Sequence, residues 1–250
     1  MKKTKTKSVG RTFVIIEELS ESGPMSVSEL SEELDIPVST VHDYLQSLVQ
    51  KGYVARKDKQ YRTTTKFLEI GYQQLYRSEI YKAAEPELDA LAEQTGEHVT
   101  LMTEENGEGA LLAVREGEKA VSVRSYPGAR MPLHATAPGK AILAHMPSER
   151  VDEIIDFHGL PALTKHTITD PERLREELTE IREQGYAVDE GERITGMVLV
   201  AAPVLDRNEC IRAAICVAGP RNRFDEPRQQ EISSLVKESA NVVQVQIDYA

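Results

Sequence analysis

Residues 25–56, MSVSELSEELDIPVSTVHDYLQSLVQKGYVAR, hold two short amphipathic segments separated by a break that neither can cross. Ser26 and Glu29 match a capping box, in which a hydroxyl and a carboxylate satisfy amides that a helix's first turn leaves unpaired. Val27, Leu30 and Leu34 line the inner face of that short helix. Asp35-Ile36-Pro37 ends it, because proline cannot continue a helix and pushes the residue before it out of helical geometry. A second helical run follows over residues 38–50 and closes at Gly52, a C-cap residue. On a helical wheel Val41, Tyr44, Leu45 and Leu48 of this run fall together. Ser39, Asp43, Gln46 and Gln50 lie opposite, flanked by Thr40, His42 and Ser47.

Working outward, Phe13, Ile16 and Leu19 share a face of a preceding helix that Gly23-Pro24 ends. Downstream, residues 53–56 and 61–63 read as strands around the polar turn Lys57-Asp58-Lys59-Gln60. Helix, tight turn, helix and hairpin make up a winged helix-turn-helix, whose second motif helix enters the DNA major groove. Any solvated helix has a polar outer face; the joint occurrence of capping box, Ile-Pro break, short polar face and basic hairpin is what points to DNA. Short hydrogen-bonding side chains can approach base edges closely, with Gln suited to adenine, Asp to cytosine N4, and Ser or Thr to either base or phosphate. The predicted contact set is therefore Ser39, Thr40, His42, Asp43, Gln46, Ser47 and Gln50 on the helix. On the wing it is Arg56, Lys57, Lys59 and Arg62, with the lysine-rich tail over residues 2–7 as a further phosphate clamp. His42 has no second His or Cys at ligand spacing, so it is read as a contact and not as a metal ligand.

Charge supports a polyanion-facing head. Residues 1–77 carry 12 Lys and Arg against 10 Asp and Glu, whereas the rest of the 250-residue chain carries 18 against 31, within a net charge of −11. The tail supplies four of those 12 positive charges, and so part of the asymmetry. Glu contributes 30 of the 41 acidic residues and Lys only 13 of the 30 basic ones, which fits either solubility by self-repulsion or adaptation to a saline cytoplasm. With 40% hydrophobic and 28% charged residues the chain suits a soluble globular protein; wholesale disorder, collagen repeats and a disulfide scaffold are excluded. No apolar stretch approaches the ~18 residues of a membrane span, so no membrane partner is expected. The apolar run after the basic tail is too short for export, and the chain holds only two cysteines, Cys210 and Cys216, so the expected location is the cytoplasm.

Residues 65–77 read as a connecting helix, with the domain boundary near 77, and residues 80–94 as a further helix ended by Thr95-Gly96. Beyond it, strands are expected at 98–103, 110–115 and 120–126, helices at 138–146, 148–157 and 171–184, strands at 196–205 and 210–218, and a last helix at 226–245. Such interspersed strands and helices predict an α+β domain packed in layers. This half has no phosphate-binding loop, no nucleophile elbow and no His-Glu-x-x-His, and no nucleophile, base and orienter assemble. His134, His145, His158 and His166 are scattered, and Lys140 follows Gly139 without the rest of a phosphate loop. Cys210 and Cys216 read as small buried hydrophobes. No enzyme activity, metal or cofactor is expected.

Residues 25–56, the following YRTTTKFLEIG (61–71), PLHATAPGKAILAHM (132–146), GYAVDEGERITGMVLVAAPVLD (185–206) and AAICVAGPRNRF (213–224) together resemble the IclR-type transcriptional regulators. The resemblance implies a winged helix-turn-helix over residues 1–64, a dimerising linker helix over 65–77, and an effector-binding and oligomerisation domain over 78–250. That domain would be GAF-like, a curved antiparallel sheet flanked by helices. The implied partners are a double-stranded DNA operator, a small-molecule effector, and further copies in a homodimer or dimer of dimers. The effector-lining positions carried over by resemblance are Val123, Met131, Ala137, Pro138, Asp189, Met197, Leu199, Cys216 and Ala218. Members that bind small carboxylates often carry serines where this chain has Cys216 and Ala218, and Gly191 departs from the acidic residue common after Asp189. Two effector classes stay open: an organic-acid or sugar-acid metabolite, and a less charged one held by backbone N–H groups and Asp189.

Overall fold

The computed structural model describes residues 6–121, 123 and 125–249, so the lysines at 2, 3 and 5 lie outside the described residues. They divide into two compact units, one ending at Gln74 and one beginning at Leu75.

The first unit runs α1 (Lys7–Glu21), α2 (Val27–Glu33), α3 (Val38–Gln50), β1 (Val54–Lys57) and β2 (Gln60–Thr63), and receives the first turns of α4 (Lys66–Arg77). The capping box is present: the Glu29 amide donates to Ser26 Oγ at 3.3 Å and the Ser26 amide donates to Glu29 Oε2 at 2.7 Å. Reciprocal capping allows α2 to be a seven-residue helix, too short to persist alone. Ile15, Leu19, Leu30, Ile36, Val41, Leu45, Leu48, Val54 and Tyr61 close one core beneath these elements. The inner face of α1 is set by Ile15 and Leu19 with Ile16 partly buried, while Phe13, expected on that face, is 57% exposed. The hairpin is tighter than expected. Lys57 pairs with Gln60, and Asp58 and Lys59 alone turn the chain with φ of 49° and 70°. Two left-handed residues in succession match the right-handed twist of the paired strands. Met25 bridges to Tyr61, tying the entry to α2 to the wing.

The second unit contains α5 (Glu79–Thr95), β3 (His98–Glu105), β4 (Glu108–Glu116), β5 (Arg130–Pro132), α6 (Ala137–Ala144), α7 (Ser148–His158), α8 (Pro171–Gln184), β6 (Ala187–Asp189), β7 (Met197–Leu205), β8 (Ile211–Pro220) and α9 (Glu226–Asp248). Its sheet has the order β5-β4-β3-β8-β7-β6, every pair antiparallel. Asn106-Gly107, both at positive φ, join β3 to β4 as the sequence signal requires. Alternation along the strands sorts the core into two layers. Val99, Leu101, Val198, Val200, Val204, Ile215 and Val217 pack towards α5 and α9, and Met102, Ala201, Ala214 and Cys216 pack towards α6, α7 and α8.

Three expectations in this unit are corrected. The described residues of 120–126 form no strand; the third strand of that region is β5, and Val121 is 40% exposed. Apolar alternation there resembles a strand, but none of its described residues joins a ladder. Cys216 is buried, but Cys210 is exposed, because the β7–β8 turn runs one residue further than the apolar pattern suggests. The three-residue strands β5 and β6 went unread.

Candidate nucleic-acid interface and ligand cavity

The α3 helix carries its chemistry in two rows. Val41, Leu45 and Leu48 are buried, whereas Ser39, His42, Asp43, Gln46, Ser47 and Gln50 are exposed and Thr40 is intermediate. Gln46 Nε2 lies 3.4 Å from His42 Nε2 one turn earlier, and Ser47 Oγ donates to the Asp43 carbonyl at 3.0 Å. Ser47 has thus committed its proton, and its oxygen offers acceptance only. On the wing Arg56, Lys57, Lys59 and Arg62 are all exposed, with the Arg56 guanidinium 5.7 Å from the centre of the Tyr61 ring. The α4 helix buries none of its residues; Leu68, Ile70, Tyr72 and Tyr76 are exposed apolar or aromatic groups along it.

In the second unit a cavity opens on the α6 side of the sheet. β3 contributes His98, Thr100 and Met102; β4 contributes Leu111; Val123 and Ser125 come from the connection and Met131 from β5. Arg193 and Ile194 come from the loop after β6, Met197 and Leu199 from β7, and Ala218 from β8. Its free volume is about 30 Å³. Of the sequence-predicted lining, Val123, Met131, Met197, Leu199 and Ala218 meet here. Ala137, Pro138, Asp189 and Cys216 do not line it. They are buried, with Ala137 and Pro138 in the first turn of α6 and Cys216 opposite Thr100 in the β3–β8 register.

Asp189 is fully buried, accepts from the Glu192 amide at 2.6 Å through Oδ1, and has no partner at Oδ2. Burial raises its carboxyl to about 6, with Lys140 and backbone amides opposing the rise. Burial likewise raises the Cys216 thiol, which stays protonated. Lys140 is not a ligand group: wholly buried, it pairs with Glu177 and Glu192 and donates to the Val188 carbonyl at 3.1 Å. Burial disfavours its charge, but Glu192 and Glu177 outweigh that and hold its pKa above the ordinary lysine value. Thr164 and Thr167 donate to the Glu192 carbonyl, so the 190–196 loop is clamped on one side while Arg193 faces the cavity on the other.

A larger cavity of about 220 Å³ lies between α6, α7 and the β3–β4 turn, but its two histidines are occupied. His134 meets the Pro161 carbonyl at 3.1 Å and His158 meets the Asn106 carbonyl at 3.0 Å. Of these two cavities, the smaller combines apolar walls with polar groups that lack partners among the described residues. His98, Thr100, Ser125 and Arg193 were missed by the sequence reading, although alternation from Met102 through Thr100 places His98 on the same face.

A winged helix-turn-helix and, in the same chain, a separately packed sheet domain with a cavity define a one-component transcription factor. The chain belongs to the IclR family: the IclR helix-turn-helix domain matches residues 8–58 and the C-terminal domain of bacterial IclR transcriptional regulators matches residues 72–245. The probable HTH-type transcriptional regulator ArcR of Halobacterium salinarum is 31% identical over 97% of this chain and 94% of its own. The crystal structure of Thermotoga maritima IclR superposes with a TM-score of 0.82 at 34% identity, covering 96% of this chain and 98% of that one. An IclR homologue of Microbacterium hydrocarbonoxydans, crystallised with 4-hydroxybenzoate, shares the fold with a TM-score of 0.83 at 23% identity, over 96% and 98% of the chains. The chain is a DNA-binding transcriptional regulator of a family that is not enzymatic. Among the described residues no helix is long and apolar enough to cross a membrane.

Proposed function

We propose that this regulator acts in the cytoplasm as a homodimer, or dimer of dimers, whose α3 helices read a repeated operator and whose second unit takes up a small effector. The observation that carries the reading is the outward row of α3, where Ser39, His42, Asp43, Gln46 and Gln50 stand exposed opposite a fully buried apolar row. Arg56, Lys57, Lys59 and Arg62 would hold phosphates and fix register. The exposed Leu68, Ile70, Tyr72 and Tyr76 of α4 are apolar surface that a second copy would cover.

Effector control would act through the width of this cavity, whose free volume is about 30 Å³. A metabolite larger than that would bind a widened state in preference to this one. That is the differential affinity through which a ligand shifts a conformational equilibrium. The test is footprinting on the chain's own or a neighbouring promoter. Protection of paired half-sites one or more helical turns apart, lost in Gln46→Ala and weakened in Arg56→Ala, is the expected result. Binding no tighter than to random duplex rejects the reading.

A further inference from the structure

Two polar side chains at the small cavity, His98 and Arg193, make no side-chain hydrogen bond among the described residues. His98 is 2% exposed, and neither ring nitrogen has a hydrogen bond; the nearest carboxylate, Glu116, is 4.0 Å from Nδ1. Burial, reinforced by the charge of Arg193, lowers its pKa despite Glu116, so at neutral pH the ring brings one N–H donor to the wall. Arg193 is half-buried and makes no hydrogen bond or ion pair among the described residues, although its guanidinium has five donors to satisfy. Burial lowers its pKa too, and Asp189 restores part of it. Buried polar groups without partners are rare in folded proteins and call for a cause.

Met102, Met131 and Met197 supply deformable apolar walls around these groups. β8 presents Ala218 at the cavity, with Cys216 buried beside it, and so offers no hydroxyl. The polar end of the cavity therefore lies between β3 and the 190–196 loop. We infer that Arg193 and His98 are the specificity-determining pair of the effector cavity and receive a single ligand carboxylate, its apolar remainder lying among the three methionines. The guanidinium fork matches the two oxygens of a carboxylate, and the imidazole N–H supplies a third donor. Asp189 at the end of β6 and Glu192 in the loop that follows, each with an unpartnered oxygen, make the surroundings hostile to a second negative charge.

This inference rests on the effector-binding reading above, and its test separates the two. Full-length protein is titrated calorimetrically with straight-chain monocarboxylates from acetate to octanoate and with benzoate, each beside its amide, and with adipate against hexanoate. At least one monocarboxylate binds tenfold or more tightly than its amide, and adipate binds tenfold or more weakly than hexanoate. Arg193→Gln loses the carboxylate preference, Arg193→Lys recovers part of it, and His98→Phe weakens the carboxylate more than the amide. The ligand-free melting temperature of the Arg193 variants stays near wild type. Equal affinity for acid and amide, indifference to Arg193→Gln, or no binding anywhere in the series overturns the inference. Operator footprinting of the same variants reads the regulator proposal independently: a footprint kept in Arg193→Gln upholds the head's role whatever the titrations give.

Discussion

Single residues in the second unit carry opposing electrostatic strains, and two of them predict measurable behaviour. Lys140 is encased with Glu177 and Glu192, the latter with a side chain 8% exposed. Lys140→Met leaves Glu192 buried without its cation and is expected to cost about 3–5 kcal/mol of stability by urea unfolding. Adding Glu192→Gln should recover a large part of that loss, and a double-mutant cycle with no coupling would contradict the pairing. Asp189 works the other way. Its folded-state value of about 6 exceeds its ordinary value of 3.8, so the folded protein holds a proton that the unfolded chain has released. Stability from this group is full below the ordinary value and is lost as pH rises through about 6, to at most about 3 kcal/mol. Asp189→Asn should therefore gain stability relative to wild type between pH 4 and 7, and a gap that stays constant across that range would refute the assignment.

At the scale of elements, the short helix α2 depends on its cap. Ser26→Ala removes the oxygen that accepts from the Glu29 amide and should lower the stability of the first unit by about 1 kcal/mol, seen in its thermal midpoint. The same cap made the helix-turn-helix legible, since capping box, proline break and 3.6-residue period are all written within a few neighbouring residues. The β3–β4 hairpin was legible for a similar reason, because Asn106-Gly107 is a local signal for two left-handed residues. Edge strands of three residues are not local facts. β5 and β6 contain too few residues to show alternation, and what makes them strands is the register of β4 and β7 beside them. The described residues of 120–126 failed in reverse, offering alternation that joins no ladder. The candidate cavity was legible only in part. Val123, Met131, Met197, Leu199 and Ala218 line it, while Ala137, Pro138, Asp189 and Cys216 do not; His98 and Arg193 are polar, and only the fold shows that one is sealed and the other without a hydrogen bond or ion pair among the described residues.

For the molecule as a whole, the question is how a chain of net charge −11 holds a polyanion. Residues 78–250 carry 31 acidic against 18 basic side chains, so self-repulsion works against compactness and salt relieves it. The melting temperature should climb as KCl rises from about 0.1 to 2 M, where screening shortens the reach of charge to a few ångströms. The same salt opposes DNA binding through counterion release. If Arg56, Lys57, Lys59 and Arg62 each neutralise one phosphate, a dimer displaces eight counterions, and log K should fall against log salt with a slope of about −7. A head that added many more cations would lose its operator more steeply as salt rises, whereas base-edge hydrogen bonds, proposed for Gln46 and Gln50, would carry no such dependence. Lys59→Ala, which in the proposed dimer would remove one phosphate contact per head, should make the slope shallower by about 2 in fluorescence-anisotropy titrations over a KCl series, with operator preference unchanged. Gln46→Ala should do the opposite, leaving the slope in place and relaxing sequence preference. A slope unmoved by Lys59→Ala would mean that the wing lies off the duplex.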